Sequence, residues 1–227
     1  MIKNVELCDN RTRLTKELEI SSAEIEKQIQ SYPYSGENKE RDEFVENKLR
    51  MPPMIYAFYG FIFFSGKVPS EDEFTEEYLQ NPFFSKVGNN NYEVSLNEEK
   101  HLVSKSALKA RILRTYPSLI RDFHFYCLVR ESNYFEHVFY SCNDDYYDKV
   151  DMKVIYKGKW FSLGMLLDSS RSEEFRQKKQ FRHKNDEDVI YIKLSKDKCR
   201  KCGKFWLYTE EHVDLVLAEI QKKAQQT

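Results

Sequence analysis

The spacing of apolar residues predicts that the first hundred residues are mainly helical. Apolar positions recur at near-helical intervals in the first segment, at Leu14, Leu18, Ile25 and Ile29. The most apolar segment, residues 54–64, is too short for a bilayer span of about 20 residues. It predicts a buried helix that ends near Gly66. Ser70 and Glu73 have the spacing of a capping box and predict the start of another short helix.

The second half of the chain alternates between helical and strand patterns. Residues 105–131 follow a helical pattern that Pro117 bends or divides, and Lys157-Gly158 predicts a tight turn between two strands. The pattern around this turn predicts three strands, a basic helix, a fourth strand and a terminal helix, at residues 137–141, 150–156, 160–167, 172–183, 188–194 and 210–223. Turn-forming residues precede this half, so we place a boundary between residues 88 and 105.

These patterns predict a mixed α/β fold class with two regions. A helical N-terminal region, residues 1–100, is followed by a core of αβββαβα order with a mixed sheet, residues 101–227. Charge separates the same two regions: the first carries 12 Lys and Arg against 19 Asp and Glu, and the second carries 24 against 18. A polyanion is therefore expected to bind the second region, or else the two regions dock on each other.

An aspartate opens the second of the three predicted strands. Asp151 precedes the apolar alternation of Met152 and Val154, at a strand entrance where a side chain can point toward solvent. The order of the predicted elements, together with this aspartate, resembles the core of the PD-(D/E)XK nuclease superfamily, which includes restriction endonucleases. The resemblance covers residues 105–225. It implies an αβββαβ core in which the aspartate and a Glu/Gln-x-Lys segment on the next strand hold Mg²⁺ or Mn²⁺ and activate water.

Hairpin geometry locates the second half of that motif, and the motif is incomplete. If the turn has two residues, Tyr156 faces Lys159. Asp151 then lies opposite Gly164, and directly opposed residues share a face of the sheet. The expected Glu-x-Lys would begin at Gly164, or one residue later after a slip, and neither register supplies an acid or a lysine.

Migrated residues could still form a non-standard catalytic and metal site. Asp168 and Lys153 lie on the strand face that Asp151 shares, and together they supply two carboxylates and a lysine. The alternative is that Asp168 caps the following helix and Lys153 is a solvated strand residue. The family also uses an acid on its first helix, which implies Asp122 or Glu136. The alternative for Asp122 is pairing on the helix surface.

The helix predicted between the third and fourth strands is the densest charge cluster in the chain. Residues 171–184 carry six Lys and Arg against two Glu. This helix could lie along a phosphate backbone, or it could be a solvated helix anchored by Phe175 and Phe181. The expected nucleic-acid-binding residues are Arg171, Arg176, Lys178, Lys179, Arg182 and His183.

Cysteine usage bears on compartment and cofactors. The five cysteines are odd in number and irregularly spaced, and the N-terminus shows no secretory signal. We therefore expect reduced thiols, a cytoplasmic location and no membrane partner. Cys199 and Cys202 form a CxxC pair, which supplies two of the four ligands of a structural zinc site, so zinc is not expected.

The resulting hypothesis is a nucleic-acid-associated protein with a divergent PD-(D/E)XK-like core. Such a core either hydrolyses phosphodiesters with Mg²⁺ or Mn²⁺ or has lost cutting. The resemblance implies DNA in preference to RNA as the partner, and an association with a mobile element or a defence system. The alternative is a non-catalytic scaffold, with a protein partner that docks on the acidic, aromatic-rich region of residues 1–100.

Overall fold

The computed structural model describes residues 5–9, 14–32, 34, 40–168 and 189–226. Its strands are β1 (Val5–Asp9), β2 (Leu14–Leu18), β3 (Ser85–Val87), β4 (Asn91–Leu96), β5 (Glu99–Ser104), β6 (His137–Ser141), β7 (Met152–Tyr156), β8 (Lys159–Asp168), β9 (Val189–Ser195), β10 (Arg200–Cys202) and β11 (Phe205–Leu207). Its α-helices are α1 (Ser22–Ser31), α2 (Met54–Ser65), α3 (Glu71–Leu79), α4 (Lys105–Leu113), α5 (Tyr116–Glu131) and α6 (Glu210–Gln226). Shorter helical turns cover Phe44–Lys48, Asp144–Asp148 and Lys196–Lys198.

A six-stranded mixed sheet with the order β2-β1-β6-β7-β8-β9 forms the centre of the fold. β6, β7 and β8 form an antiparallel meander, and β9 runs parallel to β8. On the other side of the meander, β1 runs parallel to β6 and β2 runs antiparallel to β1. The mixed α/β class expected from the sequence is therefore confirmed.

The turn between β7 and β8 sets the register of the meander. Lys157 and Gly158 both have left-handed backbones, with φ of 51° and 73°, which suits a two-residue hairpin turn. Tyr156 pairs with Lys159, as the sequence predicted. Four pairs further along, Met152 lies opposite Leu163, and this register brings Asp151 beside Gly164.

One face of the sheet is buried against helices. Val138, Val154 and Leu163 share this face and are at most 1% exposed. α5 packs on it, and the Tyr126 hydroxyl donates to the Val138 carbonyl across 3.0 Å. α2 joins the same core, so the two regions that charge separates share one hydrophobic cluster.

Helices α1, α2 and α3 confirm predicted helical segments of the N-terminal region. α2 ends at Gly66, whose left-handed φ of 72° stops the helix. Ser70 and Glu73 form the predicted capping box at the start of α3, with hydrogen bonds of 2.8 and 3.3 Å. Further along the chain, Pro117 lies in the first turn of α5, where it separates α5 from α4.

The strands of the N-terminal region, β1 to β5, were not predicted. Leu14–Leu18 was predicted to be helical, but it pairs with β1, because the spacing of its leucines fits a strand period as well as a helical one. The predicted loop at residues 88–91 includes the turn from β3 to β4, and these strands form a three-stranded antiparallel sheet with β5. In β4 the buried Tyr92 and Val94 alternate with more exposed residues.

Candidate functional site

Asp151 lies at the rim of the sheet, immediately before β7. Its backbone N–H donates to the Leu163 carbonyl across 2.8 Å, while the preceding Val150 N–H turns away to the Asp144 carbonyl. The Asp151 side chain is half-buried, and its Oδ2 accepts a hydrogen bond from the Met165 N–H at 2.5 Å. The Asp151 side chain therefore binds the β8 backbone just beyond the last backbone pair between β7 and β8.

The position opposite Asp151 is filled by an aromatic ring. Gly164 pairs with Tyr191 of β9, and a Cβ on Gly164 would stand 2.7 Å from two carbons of the Tyr191 ring. The Lys149 carbonyl would lie 3.3 Å from the same atom. Glycine at 164 thus provides the space for Tyr191, on the strand where the PD-(D/E)XK pattern has an acid.

The structure does not bring Asp168 to Asp151. Asp168 is exposed at the far end of β8, four residues beyond Gly164, which is about 13 Å along a strand. This separation is too large for the two carboxylates to share one ion, because an Mg²⁺–oxygen distance is only about 2 Å. Lys153 shares the strand face of Asp151, but its Nζ forms an ion pair of 2.7 Å with Asp144.

The two acids that the family resemblance implied lie at opposite ends of the sheet. Glu136 accepts a hydrogen bond from the Gly158 N–H at 3.1 Å, so it lies at the β7–β8 turn, away from Asp151. Asp122 lies in the first half of α5, and its side chain keeps 40% of its accessible surface. Desolvation nevertheless raises the pKa of Asp122, although the neighbouring Arg121 opposes the shift.

Tyr208, directly after β11, is a buried tyrosine whose phenol is influenced by the charges of both Asp122 and Asp151. Burial raises the pKa of the Tyr208 phenol, and the charges of Asp122 and Asp151 raise it further. Both carboxylates are therefore within electrostatic reach of one phenol oxygen. The Arg121 guanidinium lies over the Tyr208 ring, 5.2 Å from its centroid. We define Arg121, Asp122, Asp151 and Tyr208 as the rim cluster.

Buried tyrosines form a wall next to the rim cluster. Tyr59 of α2 stacks on Tyr140 of β6 with ring centroids 4.1 Å apart, and the Tyr140 hydroxyl donates to Asp145 at 3.1 Å. Burial raises the pKa of Tyr59, with further contributions from the charges of Asp145 and Asp122. The N-terminal region thus contributes to the surroundings of the site.

Sequence patterns did not identify the tyrosines of this site. Tyr59 belongs to an apolar segment that predicts a buried helix, and Tyr208 follows a short strand next to the CxxC pair. No local spacing connects either residue to Asp151. Their proximity depends on the packing of α5, where Phe125 contacts the Tyr208 ring at a centroid distance of 4.8 Å.

The remaining sequence-predicted sites are not assembled in the described part of the chain. The basic segment with Arg171, Arg176, Lys178, Lys179, Arg182 and His183 lies outside the described residues. Cys199 and Cys202 are buried beside the β10–β11 hairpin, and Cys202 Sγ accepts a hydrogen bond from Gln30 at 3.3 Å. Among the described residues, no group of three or more His, Cys, Asp or Glu side chains is placed to hold a metal ion.

Comparisons with known proteins found no relative of this chain. No protein-family model matches the chain. No curated protein and no solved structure matches it either. Among the helices of the described residues, none combines the length and the apolar character that a membrane span requires.

Proposed function

We propose that this chain is a nucleic-acid-associated protein whose PD-(D/E)XK-like core hydrolyses phosphodiester bonds with a divalent metal ion at the rim cluster. The observation that carries the proposal is the position of Asp151 at the sheet rim, where its Oδ2 accepts a hydrogen bond from the Met165 N–H. The strand order supports it: α5 precedes an antiparallel meander of β6, β7 and β8, and β9 lies parallel to β8. Asp151 opens the second strand of this meander.

The donor atoms of the rim cluster fit Mg²⁺ or Mn²⁺. Asp122 and Asp151 are hard oxygen ligands, and a cation between them would offset the desolvation that raises the pKa of Asp122. A bound ion would supply Lewis-acid polarisation of a phosphoryl oxygen. Two protein carboxylates suit Mg²⁺, which usually keeps several water ligands.

The residues of the chain would position the reacting groups. The Met165 N–H fixes one oxygen of Asp151, so the carboxylate has a defined orientation before substrate binds. Tyr59 and Tyr140 exclude water from one side of the site, since both are at most 5% exposed. DNA as the substrate, the cytoplasm as the location and an association with mobile elements or defence follow from the family resemblance and belong to the same proposal.

A cleavage assay tests the catalytic part of the proposal. Labelled single-stranded and duplex DNA and RNA are incubated with the protein in Mg²⁺, in Mn²⁺ and in EDTA. We expect cleavage only with metal, and we expect Asp151→Asn to lower the rate about 100-fold, because the amide keeps an acceptor for Met165 but loses the charge. Asp148→Asn is the matched control, because Asp148 is an exposed acid of the neighbouring turn.

The outcomes separate the possible roles. Cleavage that persists in Asp151→Asn, or that occurs equally in EDTA, would contradict a metal site at the rim cluster. Nucleic-acid binding without any cleavage would favour a second function, a descendant of the nuclease fold that binds but does not cut. The Tyr191 ring over Gly164 favours this second function, because it fills the space where the family pattern has an acid.

A further inference from the structure

The face of the central sheet opposite α5 carries an exposed tryptophan. Val154 of β7 is buried against α5, so its neighbour Ile155 lies on the opposite face. Ile155 pairs with Trp160 of β8, and paired residues share a face of the sheet. Trp160 is 56% exposed, and its ring meets the His137 ring nearly at a right angle, with the centroids 5.7 Å apart. The Trp160 ring therefore has a fixed neighbour on the sheet and still offers surface to a ligand.

A second exposed aromatic ring lies on the same face, next to Asp151. Tyr191 of β9 pairs with Gly164, which lies an even number of residues after Trp160 on β8, so the two aromatic side chains share a face. Two carbons of the Tyr191 ring lie 2.7 Å from the position that a Gly164 Cβ would take, so the ring packs against this glycine. Tyr191 is nevertheless 41% exposed. We define Trp160 and Tyr191 as the aromatic sheet face, and their positions are about 13 Å apart along the strands.

Lysines accompany both rings of the aromatic sheet face. Three exposed lysines lie within three residues of a ring along the chain, namely Lys157, Lys159 and Lys193. Among the nearby acids, Asp151 would be neutralised by the proposed metal ion, Asp168 lies at the far end of β8, and Glu136 accepts a backbone hydrogen bond at the β7–β8 turn. The lysines beside the rings favour an anionic chain that carries aromatic groups, and a nucleic acid has this chemistry.

We propose that the aromatic sheet face binds single-stranded nucleic acid, with nucleobases stacked on the Trp160 and Tyr191 rings. This inference rests on the proposed function and specifies its substrate class. Every nucleobase has a flat aromatic face, so stacking on a protein ring tolerates any sequence, and aromatic side chains on sheets stack bases in this way. The paired bases of a duplex are stacked on one another and do not reach the rings. A base on Tyr191 would place the neighbouring phosphodiester near Asp151.

Tryptophan fluorescence tests the inference, because the chain has two tryptophans, Trp160 and Trp206. The full chain with Trp206→Phe keeps only Trp160, and we expect an oligothymidylate of about 20 nucleotides, longer than typical binding sites of about 4–16 nucleotides, to quench its emission. The titration contains EDTA, so that no metal-dependent cleavage occurs. Trp160→Phe is the matched control. It keeps Trp206, which is 48% exposed on β11 of a separate two-stranded sheet, and we expect no quenching of this residue.

Substitution of Tyr191 tests the second ring, with the Trp160 emission of the Trp206→Phe chain as the signal. We expect Tyr191→Leu to weaken binding about tenfold, and Tyr191→Phe, which keeps the ring over Gly164, to bind like the parent. We expect a duplex of the same length, oligothymidylate annealed to oligodeoxyadenylate, to bind about tenfold more weakly than the single strand. The melting temperature of each variant shows whether it is folded, and the quenching of Trp160 in the parent does not depend on the fold of Tyr191→Leu.

Unchanged Trp160 emission, or equal quenching of Trp206, would overturn the inference. Equal affinity of Tyr191→Leu and the parent would also overturn it, as would a duplex that binds as tightly as the single strand.

The two proposals fail separately. Asp151-dependent cleavage of duplex DNA without quenching of Trp160 would overturn the role of the aromatic sheet face and leave the proposed function standing. Quenching of Trp160 and Tyr191-dependent binding, with no cleavage under any metal condition, would support the stacking surface and contradict catalysis.

Discussion

At the scale of single residues, Gly164 and Tyr191 depend on each other. A methyl group at 164 would overlap the Tyr191 ring at 2.7 Å. We expect Gly164→Ala to lower the free energy of unfolding by about 1–3 kcal/mol, as overpacking does. In a Tyr191→Ala background the same change should be neutral or slightly stabilising, because alanine suits a strand interior better than glycine by about 0.5–1 kcal/mol.

Urea unfolding of the four variants in this cycle measures the coupling between Gly164 and Tyr191. Equal losses in both backgrounds would contradict the assignment to Tyr191. The strain would then come from the Lys149 carbonyl, which lies 3.3 Å from the added methyl position.

At the scale of elements, a buried polar cluster joins α1, α5 and β10. His124 of α5 is fully buried, and its Nε2 lies 2.9 Å from Glu26 of α1, which also binds Arg200 of β10. Desolvation lowers the pKa of His124, although Glu26 opposes this shift. Its Nδ1 makes no hydrogen bond, so a proton on Nδ1 would have no acceptor. Burial therefore favours the neutral form of the imidazole.

The stability of the protein should therefore fall as the pH falls below the ordinary histidine value of 6.5. Below 6.5 the unfolded state binds more protons at residue 124 than the native state does, so the contribution of His124 is complete above 6.5 and declines below it. Urea midpoints at about pH 7.5 and about pH 5.5 measure the effect. The hydrogen bonds of Arg200 and His124 outweigh burial and lower the pKa of Glu26, so its contribution declines only below its ordinary 4.5.

His124→Gln isolates the histidine contribution. We expect this variant to be less stable at the higher pH but to lose most of the difference between the two midpoints. His101→Gln is the control, because the His101 side chain is 32% exposed, and it should keep that difference. A pH dependence that is unchanged in His124→Gln would contradict the assignment.

The elements that sequence patterns predicted are those whose determinants are local. Gly66 ends α2 and the Ser70–Glu73 box starts α3, and each signal lies within a few residues of the boundary that it sets. The β7–β8 register follows likewise from a two-residue turn. In contrast, the β4–β5 turn at Asn97 and Glu98 has left-handed residues without a glycine, so its hairpin signal is weak.

The rim cluster was only partly predictable for the same reason. Asp151 is identified by its place before a strand, and Asp122 by its place on the preceding helix. Tyr208 carries no such signal, because it reaches the site through contacts between distant segments, α5 and the residues after β11. The predicted pairing of Asp151 with Asp168 relied on a shared face and did not take account of distance along the strand.

At the scale of the whole molecule, the second region depends on the first for its core. The Tyr116 hydroxyl of α5 donates to the Pro69 carbonyl across 2.6 Å, and the Phe58 ring contacts both Tyr116 and Phe123. Without residues 1–100, several of these aromatic side chains would meet water. Each would cost about 1.5–3 kcal/mol, and the sum approaches a typical stability of about 5–15 kcal/mol.

We therefore expect residues 101–227 alone to lack a cooperative unfolding transition. Near-ultraviolet circular dichroism and urea titration of this fragment make the measurement, with the full chain as the control. Addition of residues 1–100 as a separate fragment should restore the transition, because β1 pairs with β6 and α2 packs on α5. A cooperative transition in the isolated fragment would instead show that the acidic region is an accessory part. Because the core is shared, the opposite charges of the two regions belong to one folded unit. The stacked pair of Tyr59 and Tyr140 likewise forms only when both regions are present.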